Sequence, residues 1–290
     1  MIHKTLTTTR RSVWTTLGAA LAVVLLLVAV TGAGANARTR AAAVSATSAA
    51  AKPTIVLVHG AWANTASWSG VIERLEGEGY TVYAPPNPLR SLKGDAASIA
   101  DFLKTIPGPV VLVGHSYGGV VITNAASQVH NVKALVYVDA FAPAQGESAF
   151  ALTAKYPGSV LNSAPPSQVF RSVSYPGEPK GDPLLYVNPS FFRKGFANDL
   201  SAKTAAVALA TQEPVTLGAV TDPSGPPAWK HIPSWYVLGT IDHIIPPAAQ
   251  LFMAERAHAH ITRVRAGHLS MVAEPGVVAK VITEAAQSVH

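Results

Sequence analysis

Gly114-His115-Ser116-Tyr117-Gly118-Gly119 is the stretch on which the fold turns. It contains G-x-S-x-G, a pattern short enough to arise by chance, so its setting gives it weight. The apolar run Val110–Val113 leads straight into it, and residues 119–129 continue with helical spacing. A strand passing into a helix through a serine between glycines describes a strained elbow that raises the hydroxyl above a sheet edge. Gly114 and Gly118 leave space where side chains would crowd that turn.

Outward from the elbow, short apolar runs alternate with helical patterns. Strands are expected at Ile55–Val58, Tyr80–Ala84, Val110–Val113, Ala134–Val138, Trp235–Leu238 and Ile261–Val264. Helices are expected at Trp68–Glu78, Ala96–Leu103, Gly119–Val129, Ala248–Ala257 and Val277–Gln287. Strands this apolar are buried on both faces, as in a parallel sheet covered by helices, and the alternation indicates a doubly wound α/β architecture. Residues 142–232 break the rhythm. They are rich in Pro and Gly and suggest helices near 190–200 and 202–211, with no strand as strong as those of the core. Their aromatic residues (among them Phe150, Phe170, Phe192 and Phe196) favour packing, so the segment reads as a cap over the edge where such sheets bind ligands.

A serine hydroxyl is a weak nucleophile until a base takes its proton. In sheets with such an elbow the acid and then the histidine follow the serine, each after a later strand. His268 in Gly267-His268-Leu269 lies just past the last strand and is the candidate base. Asp242, immediately past the Trp235–Leu238 strand, is the preferred acid; Asp139, at the end of the preceding strand, is the alternative and otherwise reads as a loop-stabilising carboxylate. Two backbone donors are needed for a developing oxyanion. They are expected at Tyr117, directly after the serine, and at Ala61 in the loop His59-Gly60-Ala61-Trp62. His59 is expected to shape that loop. His258 and His260 form a lone H-x-H without a third ligand nearby, which gives no metal site.

Taken together, Val56-Leu57-Val58-His59-Gly60-Ala61-Trp62, the elbow, Trp235 to Pro246 (WYVLGTIDHIIP) and Ala266-Gly267-His268 resemble the small bacterial α/β-hydrolases related to plant methyl esterases and hydroxynitrile lyases. The resemblance runs from about residue 53 to the C-terminus with its blocks in order. It implies the α/β-hydrolase fold, a mostly parallel doubly wound sheet with a helical cap inserted before the strand that precedes the acid. It further implies hydrolysis of a small-molecule carboxylic ester through an acyl-enzyme, with neither metal nor cofactor. Two departures narrow it. Hydroxynitrile lyases of this group carry lysine directly after the histidine, where this chain has Leu269, which argues against lyase activity. Cutinase-like polyester hydrolases are open-faced and disulfide-stapled, whereas this chain has an expected cap and no cysteine. A cofactor-free perhydrolase or a lactonase on the same triad, and a ligand-binding protein of the same fold, are the competing readings.

The N-terminus adds a compartment. Lys4, Arg10 and Arg11 precede an apolar run from Leu17 to Val30 and the small residues Ala35-Asn36-Ala37. That order describes a secretory signal with cleavage after Ala37, the run being too short for a span of about 20 residues. Thr9 to Trp14 resembles a twin-arginine signal, although paired arginines also occur in ordinary ones. Residues 38–52, rich in Ala, Ser and Thr, read as a linker to a domain over 53–290. Without 1–37 the chain has 19 basic and 16 acidic residues, with no basic run, so neither nucleic acid nor a membrane surface is implied as a partner.

Overall fold

The computed structural model describes residues 52–289. The expected signal peptide (1–37) and all of the expected linker except Lys52 lie outside the described residues.

Nine strands follow along the chain: β1 Thr54–Val58, β2 Val82–Tyr83, β3 Val110–His115, β4 Val132–Val138, β5 Phe170–Val173, β6 Leu184–Val187, β7 Val215–Thr216, β8 Ser234–Gly239 and β9 His260–Val264. Six of them form one sheet in the order β2-β1-β3-β4-β8-β9, and every pairing in it is parallel. The burial explains the pattern. β3 and β8 are buried at every residue, which only a strand covered on both faces can be. The outer strand β9 is only partly covered.

The helices end where local chemistry stops them. In α1, Leu92–Lys104, the Ser91 side chain accepts the Gly94 amide as a cap, Asp95 lies in the first turn and Lys104 in the last. Its Leu92, Ala96, Ile99 and Leu103 recur at helical spacing and are buried. This helix starts four residues before the expected Ala96, where the Ser91 cap fixes its origin. At the other extreme, the strand expected over 80–84 shrinks to Val82–Tyr83, which pairs only with Ile55 and Val56 of β1 at the sheet edge.

Between β4 and β8 the chain leaves the sheet. The helix expected near 190–200 is a short turn, Pro189–Phe191, running into a π-helical turn at Phe192–Phe196; the next, at Ala202–Ala210, is regular. The region also holds a small antiparallel sheet, β5-β6-β7. These strands are two to four residues long, too short for an alternation to register in sequence. Because the main strands are parallel, their C-terminal ends share one edge, and the loops after β1, β3, β8 and β9 converge there.

Candidate active site

The elbow after β3 carries the first group. Ser116 has φ 52° and ψ −123°, a left-handed conformation that costs an L-residue about 1–3 kcal/mol. Three glycines make the turn possible. A side chain on Gly60 would lie 2.6 Å from Ser116 Cβ, and one on Gly114 2.6 Å from the Gly118 carbonyl. One on Gly118 would collide with the Val58 carbonyl. The first helical turn of α2, Tyr117–Ala125, begins at once, directing its free amides toward the serine.

Ser116 Oγ lies 2.9 Å from His268 Nε2, and His268 Nδ1 lies 2.8 Å from Asp242 Oδ2. All three are buried, at 2%, 0% and 1% exposure. Asp242 is also held by three donors: the Ile244 and Ile245 amides on Oδ1, at 2.7 and 3.0 Å, and Gln250 Nε2 on Oδ2, at 2.8 Å. A carboxylate can only accept, so His268 Nδ1 carries the ring proton and Nε2 faces the serine as an acceptor. Burial pushes the His268 pKa down to about 3 against the opposing pull of Asp199, so the ring is neutral and able to take a proton.

The structure thus brings together Ser116, His268 and Asp242. Asp139, the alternative acid, is also fully buried, but it bonds the Ser270 amide at 3.2 Å and not the imidazole. Of the expected oxyanion donors, the Ala61 loop lies against the elbow through Gly60, and Tyr117 directly follows Ser116. Among the described residues neither the Ala61 nor the Tyr117 amide donates to a protein acceptor. His59 holds this loop: its Nε2 accepts the Asn87 amide at 3.0 Å, and Asn87 Nδ2 returns a bond to the His59 carbonyl at 3.0 Å. Burial holds the His59 pKa below its ordinary value, as this acceptor role requires.

Several contributors escaped sequence reasoning. His115, one of the two unspecified positions of G-x-S-x-G, donates from Nε2 to the His268 carbonyl at 2.9 Å. Asp199 accepts the Gly267 amide at 2.7 Å, and Asn198 donates to the Ile241 carbonyl at 2.9 Å. Phe196 sets its edge against the His268 ring, with centroids 4.7 Å apart. Trp62, at φ 59°, donates its amide to the Glu213 carbonyl and its indole N–H to the Leu185 carbonyl. It stacks on Phe170, and Phe170 on Phe150. The hydrogen-bond partners are 43 to 153 residues from the groups they hold, a range at which no local pattern exists. Beyond Phe170 lies a cavity of about 420 Å³, lined by Phe150, Leu161, Phe170, Leu185 and Leu217 with a few neutral polar side chains and no charged one.

Among the described residues no cluster of three or more His, Asp or Glu side chains could hold a metal ion.

A family model described as the Alpha/beta hydrolase family matches residues 55–281. An alpha/beta hydrolase, nvfD, of Aspergillus novofumigatus is 30% identical over 263 residues, covering 81% of this chain and 97% of that protein. A carbendazim hydrolyzing esterase of Nocardioides sp. is 34% identical over 113 residues, 34% of this chain and 47% of that protein. Among solved structures, polyneuridine aldehyde esterase superposes with a TM-score of 0.68 at 20% identity, covering 81% of this chain and 99% of its own. At that identity the likeness speaks to the fold.

Proposed function

The chain belongs to the alpha/beta hydrolase family, and from that premise we propose that it is a serine esterase acting on small to medium carboxylic esters through an acyl-enzyme. The observation that carries this reading is the unbroken hydrogen-bond chain from Ser116 through His268 to Asp242 at a strained elbow. In this mechanism Ser116 Oγ attacks the ester carbonyl as His268 Nε2 takes its proton. Asp242 keeps the imidazole oriented and stabilises the imidazolium, without itself taking the proton. The Ala61 and Tyr117 amides receive the oxyanion, each worth about 2.7–4 kcal/mol to the transition state. His268 then protonates the leaving alcohol, and a water activated by the same ring releases the acid.

Esterase relatives support the choice of ester over other hydrolysable bonds. Residues 142–232 serve as the cap, and its uncharged cavity of about 420 Å³ falls within the range of small-molecule sites. The test is hydrolysis of a p-nitrophenyl ester series from acetyl to dodecanoyl by the protein and by Ser116→Ala. The variant should fold and lose turnover by roughly 10⁶-fold, and short to medium acyl chains should be preferred. Substantial turnover in the variant would remove Ser116 from its role.

Export completes the proposal: residues 1–37 act as a signal peptide, so the processed protein should begin at Arg38. N-terminal sequencing of the protein from culture medium tests this, and retention of Met1 would overturn it.

A further inference from the structure

Two carboxylates lie buried at the sheet edge, and their surroundings differ. Asp242 is met by four donors: the Ile244 and Ile245 amides, Gln250 Nε2 and His268 Nδ1. Asp139 is equally buried, yet its one hydrogen bond is from the Ser270 amide to Oδ2, and Oδ1 has no partner. The Ser270 hydroxyl is also without a partner; counting it and the Gly239 amide, the comparison would still be three donors against four. No salt bridge reaches Asp139 among the described residues. Oδ1 lies against the Gly239 backbone: a side chain on Gly239 would come within 2.7 Å of it.

Two nearby buried carboxylates resist ionising together, and the proton settles on the one with fewer donors. We propose that Asp139 is a neutral carboxylic acid in the folded protein, and that it is a positioning residue for the loop carrying His268. Its Oδ2 fixes the Ser270 amide, two residues past His268. With the proton held there, Asp242 keeps its charge for the imidazole. Burial first, and then the charge of Asp242, push the Asp139 pKa well up, with Ser270 and the Gly239 amide pulling the other way. The other titratable groups near it are Tyr236, whose hydroxyl donates to the Ala140 carbonyl, Tyr137 stacked on Tyr236, and His268, all buried. The backbone agrees: Asp139 has φ 43°, a region that Asp and Asn tolerate better than other side chains.

The test is Asp139→Asn, which keeps one acceptor and one donor in the same shape. Unfolding by denaturant is measured for both proteins between about pH 5.5 and 7.5. The unfolded aspartate releases a proton that the folded one retains, so the wild-type unfolding constant should rise relative to the variant. The rise should be roughly tenfold per pH unit. In infrared spectra at neutral pH, a protonated carboxyl C=O band present in the wild type should vanish in Asp139→Asn. A pH-independent ratio, or a wild type without that band, overturns the proposal; a band that survives in the variant places the proton on another carboxyl and does the same. Neither readout uses turnover, so they stand apart from the esterase reading. The positioning role does rest on that reading. It requires Asp139→Asn to keep kcat within a few-fold, and Asp139→Ala to lower kcat at unchanged KM.

Discussion

At Ser116 the backbone is held left-handed between a strand and a helix, and the cost is recovered in geometry: the hydroxyl meets His268 at 2.9 Å. Gly60 is the partner that makes the turn possible, because any side chain there would press on Ser116 Cβ. Gly60→Ala should therefore leave the sheet intact but displace the Ala61 amide. With one oxyanion donor misplaced, kcat should fall about 100- to 1,000-fold, and the clash with the His115 carbonyl should lower the melting temperature as well; steady-state kinetics on the folded protein beside thermal unfolding separates the two. Burial of His268 gives a second residue-scale expectation. The base must be neutral to act, and its pKa is pushed below the ordinary histidine value. The acid limb of kcat/KM should consequently lie below about pH 6.5, and a pH–rate profile with its limb above that value would contradict the assignment.

At the level of elements, the loop after β1 is tied to β6 and to the chain just before β7. Trp62 spends its amide on the Glu213 carbonyl and its indole N–H on Leu185 of β6, while its ring stacks on Phe170 of β5. The small antiparallel sheet thus fixes the residue next to Ala61, the proposed oxyanion donor. Trp62→Phe keeps an aromatic ring and removes one buried donor, leaving the Leu185 carbonyl without its partner. A loss of about 1–3 kcal/mol in unfolding free energy is expected, accompanied by a lower kcat; unchanged kinetics would show that the strand does not set the loop. The segment from Phe196 to Asp199 makes a similar connection on the other side. It touches the His268 ring, the Ile241 carbonyl and the Gly267 amide. None of this was legible as pattern. The core strands were, because burial on both faces writes continuous apolar runs into the chain, whereas β5 to β7 leave two to four residues each.

Across the whole molecule, a chain without cysteine relies on packing, and among the described residues one pair of charged side chains ties distant segments together. Arg256 donates to both oxygens of Glu147, at 2.9 and 2.7 Å, and to the Ala142 carbonyl, joining the helix at Pro247–Arg256 to the chain leaving β4. Burial works to raise the Glu147 pKa, but the Arg256 guanidinium and the Ala144 amide overcome it, so it lies below the ordinary glutamate value. A carboxyl lowered in the folded state adds stability above its unfolded pKa and loses it as the pH falls through the folded one. Glu147→Gln should accordingly lower the unfolding free energy at neutral pH, by on the order of 1 kcal/mol for a partly exposed pair. The gap to wild type should close on acidification; a gap independent of pH would mean that charge has no part in it.

The amino-acid sequence by itself determined the layered α/β architecture, the elbow, and the order of serine, acid and histidine. Each of these is written in short-range signals: apolar runs, glycines at a turn, a residue directly past a strand. Only the tertiary structure decided which carboxylate meets the imidazole. Asp139 and Asp242 both follow a strand, and the choice depends on how the loops after β4, β8 and β9 lie against one another. It decided likewise that His115, Asn87, Asp199, Gln250 and Trp62 hold the site in place. Hydrogen bonds between groups far apart in the chain have no local signature, since they exist only once the sheet edge has gathered its loops.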